Sequence, residues 1–117
     1  MAANAGLMLG WTRAVPGHEA ESQSKFGECL GYLTKLQTTG DIESFEPVVL
    51  APHGGDLNGF ILIRGDTQKL NQLRATEAWK QWVSWGSFHM SGFGATECLL
   101  GTAIQEAMQR SAKFIKK

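Results

Sequence analysis

The segment 59–64 restricts the fold of this chain more than any other stretch. It reads Gly-Phe-Ile-Leu-Ile-Arg, and its apolar run 60–63 would place apolar side chains on both faces of a strand. Strands of this kind lie in the middle of a sheet and are covered on both sides. A single layer of helices covers only one side, so the sequence predicts that the other side has a cover of its own.

Hydrophobic periodicity and turn residues divide the rest of the chain into short elements. We predict further strands over 7–13, 42–51 and 88–98, and helices over 19–38, after a cap at Asp66, from a cap at Thr76 to a stop at Gly86, and over about 100–115. Pro47 cannot donate a ladder hydrogen bond, so the strand that contains it lies at a sheet edge. The chain of 117 residues, 1–117, suits a single domain with its core at about 7–98 and an extra C-terminal helix.

The element order is βαββαβ followed by a helix, which makes this an α+β protein. Short connections and right-handed crossovers favour a four-stranded antiparallel sheet with its helices on one face. The second and fourth strands then form the two edges. The open face keeps apolar residues of the first and third strands and is too apolar to face water. We therefore expect a homodimer that packs sheet against sheet.

A resemblance to known families rests on a helix–turn–strand stretch and two positions beyond it. The matching residues are Phe26, Leu30-Gly31-Tyr32-Leu33, Leu36, Gly40-Asp41-Ile42, Pro47 and Gly59. The stretch resembles the YCII-related and neighbouring families of the dimeric α/β-barrel superfamily, in which two ferredoxin-like subunits close their sheets into one barrel. The resemblance implies this fold over 7–98, and relatives that include cofactor-independent monooxygenases, haem-degrading enzymes, isomerase-like proteins and lyases. Those families place an Asp-Pro pair in the second helical region, where this sequence has Thr76-Glu77, so their His/Asp dyad is not carried over.

Composition and motifs argue against several classes of function. The 11 Lys and Arg residues balance 11 Asp and Glu residues, and zero net charge argues against a nucleic-acid partner. No apolar run approaches the roughly 20 residues of a membrane helix, and residues 1–9 lack the features of a signal peptide. Cys29 and Cys98 show no framework spacing, which suits a reducing cytoplasm. No glycine-rich phosphate loop is present, and we expect no cofactor.

His89 is the candidate catalytic residue. It falls in the predicted fourth strand, near the tryptophan-rich segment that ends at Trp85, and histidine is the side chain most easily poised as a general base near neutral pH. The alternative is a half-buried histidine bonded to a backbone carbonyl. Arg13 and Arg64 end the first and third strands, which the topology makes adjacent, so they are candidates to hold a carboxylate or enolate. Surface ion pairs are the alternative for both arginines.

The tryptophans fall into two pairs. Trp79 and Trp82 lie one helical turn apart and suit a core position. Trp11 and Trp85 are candidate walls of a pocket for a flat aromatic ligand, since an indole offers a large apolar face and one N–H donor.

The other two histidines give weaker signals. His53 shares a turn with Asp56, but two ligands without a third make a poor metal site, and a solvated loop is the simpler interpretation. His18 lies at the start of the first helix, where a cationic imidazole would oppose the helix dipole, so we interpret it as an exposed end. The sequence therefore predicts no metal site.

Two hypotheses of function remain. The first is a cytoplasmic homodimer that acts on a small aromatic or carbonyl-bearing metabolite, with His89 as the acid–base group. The second is a non-catalytic binding or structural dimer. A cavity of about 300 Å³ or more with converging polar groups would favour the first, and a fully packed interior the second.

Overall fold

The computed structural model describes residues 4–115. Residues 1–3 and 116–117, which the single-domain prediction and the signal-peptide argument include in part, lie outside this range. The strands are β1 (Ala5–Trp11), β2 (Arg13–Ala14), β3 (Ser44–Val49), β4 (Gly59–Gly65), β5 (Met90–Ser91) and β6 (Gly94–Leu99). The helices are α1 (Glu19–Thr39), α2 (Thr67–Arg74), α3 (Glu77–His89) and α4 (Thr102–Ala112).

The main sheet has the predicted topology. Its four strands run in the order β3-β4-β1-β6, and every neighbouring pair is antiparallel. The strand that contains Pro47 forms one edge, and β4, the strand with two apolar faces, lies inside. This arrangement is compatible with a ferredoxin-like fold.

The predicted caps of the middle helices are confirmed. The backbone N–H of Lys69 donates to the Asp66 carboxylate, and the N–H of Trp79 donates to the Thr76 hydroxyl. These bonds satisfy donors that a helix N-terminus otherwise leaves free.

The predicted start of the fourth strand is wrong. Helix α3 does not stop at Gly86 but continues to His89, so His89 lies at the end of a helix. Gly86 is buried under the ring of Phe93, and a Cβ at this position would lie 2.5 Å from that ring. Close packing therefore accounts for the glycine, which does not end the helix. The rest of the predicted strand divides, and only β6 joins the main sheet.

The first strand lies two residues earlier than the predicted 7–13, and the last helix, α4, is shorter at both ends than the predicted 100–115. Strand β1 ends at Trp11, and Arg13 belongs to β2, which pairs with β5 in a separate two-stranded ribbon. The backbone N–H of Thr12 donates to the carbonyl of Ser91 at 2.8 Å, and that of Val15 to the carbonyl of His89 at 3.0 Å. The ribbon thereby ties the exit of β1 to the end of α3.

The core lies between one face of the sheet and helices α1 to α3. Alternate residues of the two central strands point into it, as the two-residue period of a strand requires. The buried set is Leu7, Leu9, Cys29, Leu33, Ile42, Ile61, Ile63, Leu70, Leu73 and Trp79. Trp79 thus occupies the predicted core position, and Trp82 packs against this cluster while partly exposed.

The opposite face of the sheet is only partly covered and combines apolar side chains with the ion pair between Arg64 and Glu46. The register places Met8, Phe60, Leu62 and Val48 together on this face, and all four are partly exposed. Helix α4 leaves a second apolar surface, because no α4 residue is buried and Met108 is 66% exposed. The radius of gyration is 16.0 Å, against about 13 Å for a compact chain of this length, so this molecule is extended for its size.

Among residues 4–115, no helix has both the length and the apolar character needed to cross a membrane.

Candidate functional site

A small cavity lies between α1, α3 and the Trp11 end of β1. Its volume is about 60 Å³, which holds a few water molecules but not a drug-sized ligand. Five aromatic side chains contribute to its wall, namely those of Trp11, Phe26, Trp82, Trp85 and Phe93. Trp11 and Trp85, the two predicted pocket walls, are therefore brought together here.

A larger open groove adjoins this cavity. The groove has a volume of about 510 Å³ and shares Trp11, Ser22, Phe26 and Met90 with the cavity wall. Its size falls within the range of small-molecule sites. The small cavity is thus below the expected 300 Å³, and the adjoining groove is above it.

Ser22 supplies a polar atom that has no partner in this part of the molecule. Its hydroxyl oxygen is buried without a hydrogen bond, and the residue lines both the cavity and the groove. A buried hydroxyl usually has a hydrogen-bond partner, and leaving it unpaired costs about 1–3 kcal/mol. The position therefore suits a ligand oxygen or a bound water.

His89 does not line the cavity itself but lies against one of its walls, Trp85, in a defined orientation. Its Nδ1 lies 3.1 Å from the carbonyl oxygen of Trp85, and its ring stacks on the Trp85 indole with 4.8 Å between centroids and 9° between planes. A carbonyl oxygen only accepts, so Nδ1 carries the proton and Nε2 of the neutral ring keeps its lone pair. His89 is half-buried and bonded to a backbone carbonyl, as the alternative interpretation expected, and its second nitrogen faces Glu21.

That second nitrogen faces two side chains from the first turn of α1. Nε2 of His89 lies 3.9 Å from Oε1 of Glu21, and Nδ1 of His18 lies 3.3 Å from Oε2 of the same carboxylate. The hydrogen bond with His18 lowers the pKa of Glu21 most strongly, burial opposes this effect, and the nearby imidazoles lower the pKa by smaller amounts. Two imidazoles thus converge on one ionised carboxylate.

The two predicted arginines do not meet. The antiparallel register pairs Arg64 with Gly6 and places Trp11 opposite Gly59, so the ends of β1 and β4 that carry the arginines lie at opposite ends of the sheet, about 20 Å apart at strand spacing. Arg64 pairs instead with Glu46 at 3.6 Å, and Arg13 is exposed on β2. The predicted shared anion site is therefore wrong. Adjacent antiparallel strands run in opposite directions, so their C-terminal ends lie at opposite ends of the sheet.

The remaining candidates have structural roles. Nε2 of His53 lies 2.7 Å from the carbonyl of Leu57, and its Nδ1 accepts from the N–H of Gly55. This histidine therefore stabilises the loop in which it lies.

Burial raises the pKa of the Cys29 thiol to about 11, and burial also raises the pKa of the Cys98 thiol. Neither thiol is a ready nucleophile at neutral pH.

Ser22, Glu21 and the partnership of His18 with His89 are functional features that the sequence does not predict. The spacing of His18 and Glu21, three apart at a helix start, was a usable signal, since residues i and i+3 share a helix face. Nothing in the sequence places His89 beside them, because it comes from the end of another helix.

No protein-family model matches the chain, and no curated protein is significantly similar to it. The resemblance to the YCII-related families therefore stays a prediction that rests on the quoted residues.

Proposed function

We propose that this protein is a homodimeric α/β barrel that binds a small aromatic or carbonyl-bearing metabolite between α1 and α3. The observation that carries this proposal is the buried, unpaired hydroxyl of Ser22, which opens into an aromatic cavity and its adjoining groove. The indoles of Trp11 and Trp85 supply flat walls. The Ser22 hydroxyl then fixes a polar atom of the ligand.

His89 is the proton-transfer group in this proposal. Its Nε2 takes a proton from an acidic C–H or O–H of the ligand and becomes part of an imidazolium, while the electron pair of the broken bond remains on the ligand as an enolate or phenolate. The Glu21 carboxylate, 3.9 Å away, stabilises the imidazolium. Lys25 lines the cavity and takes the anion-holding role that the sequence assigned to Arg13 and Arg64. Isomerase-, lyase- and cofactor-independent monooxygenase-like reactions all begin with such a step.

A second copy of the chain supplies the missing cover. The open sheet face, with strands of up to seven residues in four rows, has a footprint of roughly 400–500 Å². A standard interface buries about 800 Å² per partner, so the sheet face alone is too small for one. The exposed apolar residues of α4 provide further area.

We also assign the protein to the cytoplasm, because both cysteines are free and a reducing compartment keeps them so.

The size of the cavity favours a second candidate, a dimer without chemistry of its own. A space of about 60 Å³ suits a packing defect filled by water as well as it suits part of a ligand. In this case the groove is incidental, and the bond from His89 to the Trp85 carbonyl only stabilises the last turn of α3.

Binding and proton transfer are measured with one probe, 2-indanone, which is flat, carries a carbonyl and has acidic C–H bonds beside it. Quenching of tryptophan fluorescence reports binding, and loss of the α-proton NMR signals in D₂O reports proton transfer. We expect saturable quenching and exchange faster than in buffer. Ser22→Ala should weaken binding about 2- to 10-fold, the value of one neutral hydrogen bond, and His89→Gln should bind while losing the exchange.

Ser24→Ala is the matched control, because Ser24 lies on the exposed side of the same helix. Its affinity should equal that of the unaltered protein. Equal affinities for Ser22→Ala and Ser24→Ala would contradict the assigned pocket. Saturable binding with no gain in exchange would favour the non-catalytic candidate.

A further inference from the structure

We infer that His18, Glu21 and His89 form a binding site for one divalent transition-metal ion. The three side chains each offer one ligand atom, and these atoms lie within 4.8 Å of one another. They come from the start of α1 and the end of α3, which the fold brings together. Two imidazoles and one carboxylate form a ligand set that zinc and iron(II) both accept, with positions left open for water or substrate.

The spacing of the ligand atoms is close to what an ion requires. Bonds of about 2.0–2.2 Å to nitrogen and oxygen place two ligand atoms of a tetrahedral ion about 3.3–3.5 Å apart. Nδ1 of His18 lies 3.3 Å from Oε2 of Glu21, which meets this value, whereas Nε2 of His89 lies 3.9 Å from the other oxygen, Oε1. The three ligand atoms lie within 4.8 Å of one another, so the widest pair has to close by up to about 1.5 Å. Both histidine rings are partly exposed, with side-chain exposures of 47% and 30%, so small rotations can close the site.

A second observation supports the same assignment. Nδ1 of His89 donates to the Trp85 carbonyl, and metal-bound histidines usually donate their other ring N–H to such an outer partner. This bond holds the lone pair of Nε2 towards Glu21. The stacked Trp85 indole restrains the ring further, so the ligand is oriented before an ion arrives.

Neighbouring charged groups do not compete for the position. The Glu19 carboxylate accepts from the backbone N–H of Gly17 at 3.1 Å and 3.2 Å. Lys25 pairs with Glu28 at 3.6 Å. The charge of the three ligands is therefore that of a single carboxylate, which a divalent ion more than balances.

This inference goes beyond the proposed function and does not depend on it, because all three ligands belong to the protein. An ion at this position would lie near the cavity. Trp85, which stacks on His89, and Met90, which follows His89 in the chain, both line the cavity wall. With the ion bound, Nε2 of His89 is a ligand and not a base, and the ion takes over the polarisation of a carbonyl oxygen.

The test is titration of the chelator-treated protein with Zn²⁺ alone, followed by calorimetry, and with Co²⁺ alone, followed by its visible absorption bands. We expect one ion per chain. Glu21→Gln and His89→Gln should each weaken Zn²⁺ binding at least about 10-fold and remove the Co²⁺ spectrum. His18→Gln alters an exposed side chain, so it provides a ligand variant that keeps the fold.

His53→Gln is the matched control, since His53 is an exposed histidine in a distant loop. It should leave the stoichiometry and the Co²⁺ spectrum unchanged. Absence of stoichiometric binding overturns the inference, as does binding that survives Glu21→Gln and His89→Gln. An unchanged Co²⁺ spectrum in His18→Gln would assign the ion to another site. Binding of 2-indanone by the metal-free protein would still support the proposed function.

Discussion

Cys29 lies on α1 against the sheet and is 9% exposed, and burial raises the pKa of its thiol from 9.0 to about 11. Between these two values the unfolded chain loses the thiol proton while the folded chain keeps it. The thiol's contribution is therefore complete below about pH 9 and is lost as the pH rises towards about 11. Each pKa unit corresponds to about 1.4 kcal/mol, so the loss is about 2–3 kcal/mol at most.

We predict that Cys29→Ala makes the free energy of unfolding less sensitive to pH over this alkaline range. Denaturant unfolding at about pH 8 and about pH 10.5 measures the difference. Cys98→Ala is the control, because Cys98 lies on an edge strand and is less buried. An equal loss of stability in Cys29→Ala and the unaltered protein would contradict the assigned burial effect.

The sequence predicts which types of residue belong to the site better than it predicts where those residues lie in the fold. Trp11 and Trp85 lie on the cavity wall because large aromatic side chains near strand and helix ends find few other places to be buried. The sequence predicts His89 on a strand, because Gly86, which lies inside α3, is interpreted as the end of the helix. Arg64 was expected beside Arg13, and only the antiparallel register separates them.

At the scale of elements, α1 carries two glycines that nothing in the described structure approaches. A Cβ at Gly27 or at Gly31 would meet no atom within 4 Å, and both residues are exposed. Glycine inside a helix costs about 1 kcal/mol relative to alanine. We predict that Gly27→Ala and Gly31→Ala each raise the free energy of unfolding by about 0.5–1 kcal/mol, as measured by denaturant unfolding.

Gly86→Ala is the contrasting variant in α3. Its Cβ would lie 2.5 Å from the Phe93 ring, so the same substitution should lower the free energy of unfolding. A destabilised Gly27→Ala protein with a changed native mass would show instead that a partner molecule covers this side of α1.

The order of the elements was predictable from the sequence, because each main element has regularly spaced apolar residues and is separated from the next by turn residues. The two-residue strands β2 and β5 were not, since they are too short to show a period. Their pairing depends on tertiary hydrogen bonds such as that from Thr12 to Ser91. The cleft between α1 and α3 depends on the same ribbon, so its composition was partly predictable and its geometry was not.

At the scale of the whole molecule, the open sheet face and α4 leave apolar surface that one chain does not cover. We predict that Leu62→Glu, at the centre of this face, converts the proposed dimer to a monomer, because it places a second carboxylate directly beside Glu46 and would bury both between two sheets. Native mass spectrometry at micromolar concentration measures the change. A dimeric Leu62→Glu protein would place the interface elsewhere.

Phe88→Glu makes the same change in charge outside this face. Phe88 is 80% exposed on α3, so the variant should remain a dimer. A monomer from this variant alone would move the interface to the α3 side of the molecule.

The β2–β5 ribbon also has a consequence for the order of folding. It joins residues from the first and last quarters of the chain, and the entropy of closing so long a loop delays such contacts relative to local helix formation. His18 and His89 meet only after this closure, since the N–H of Val15 is bonded to the carbonyl of His89. Metal affinity therefore reports complete folding: a partly folded chain that already contains α1 and α3 has the helical signal without the site.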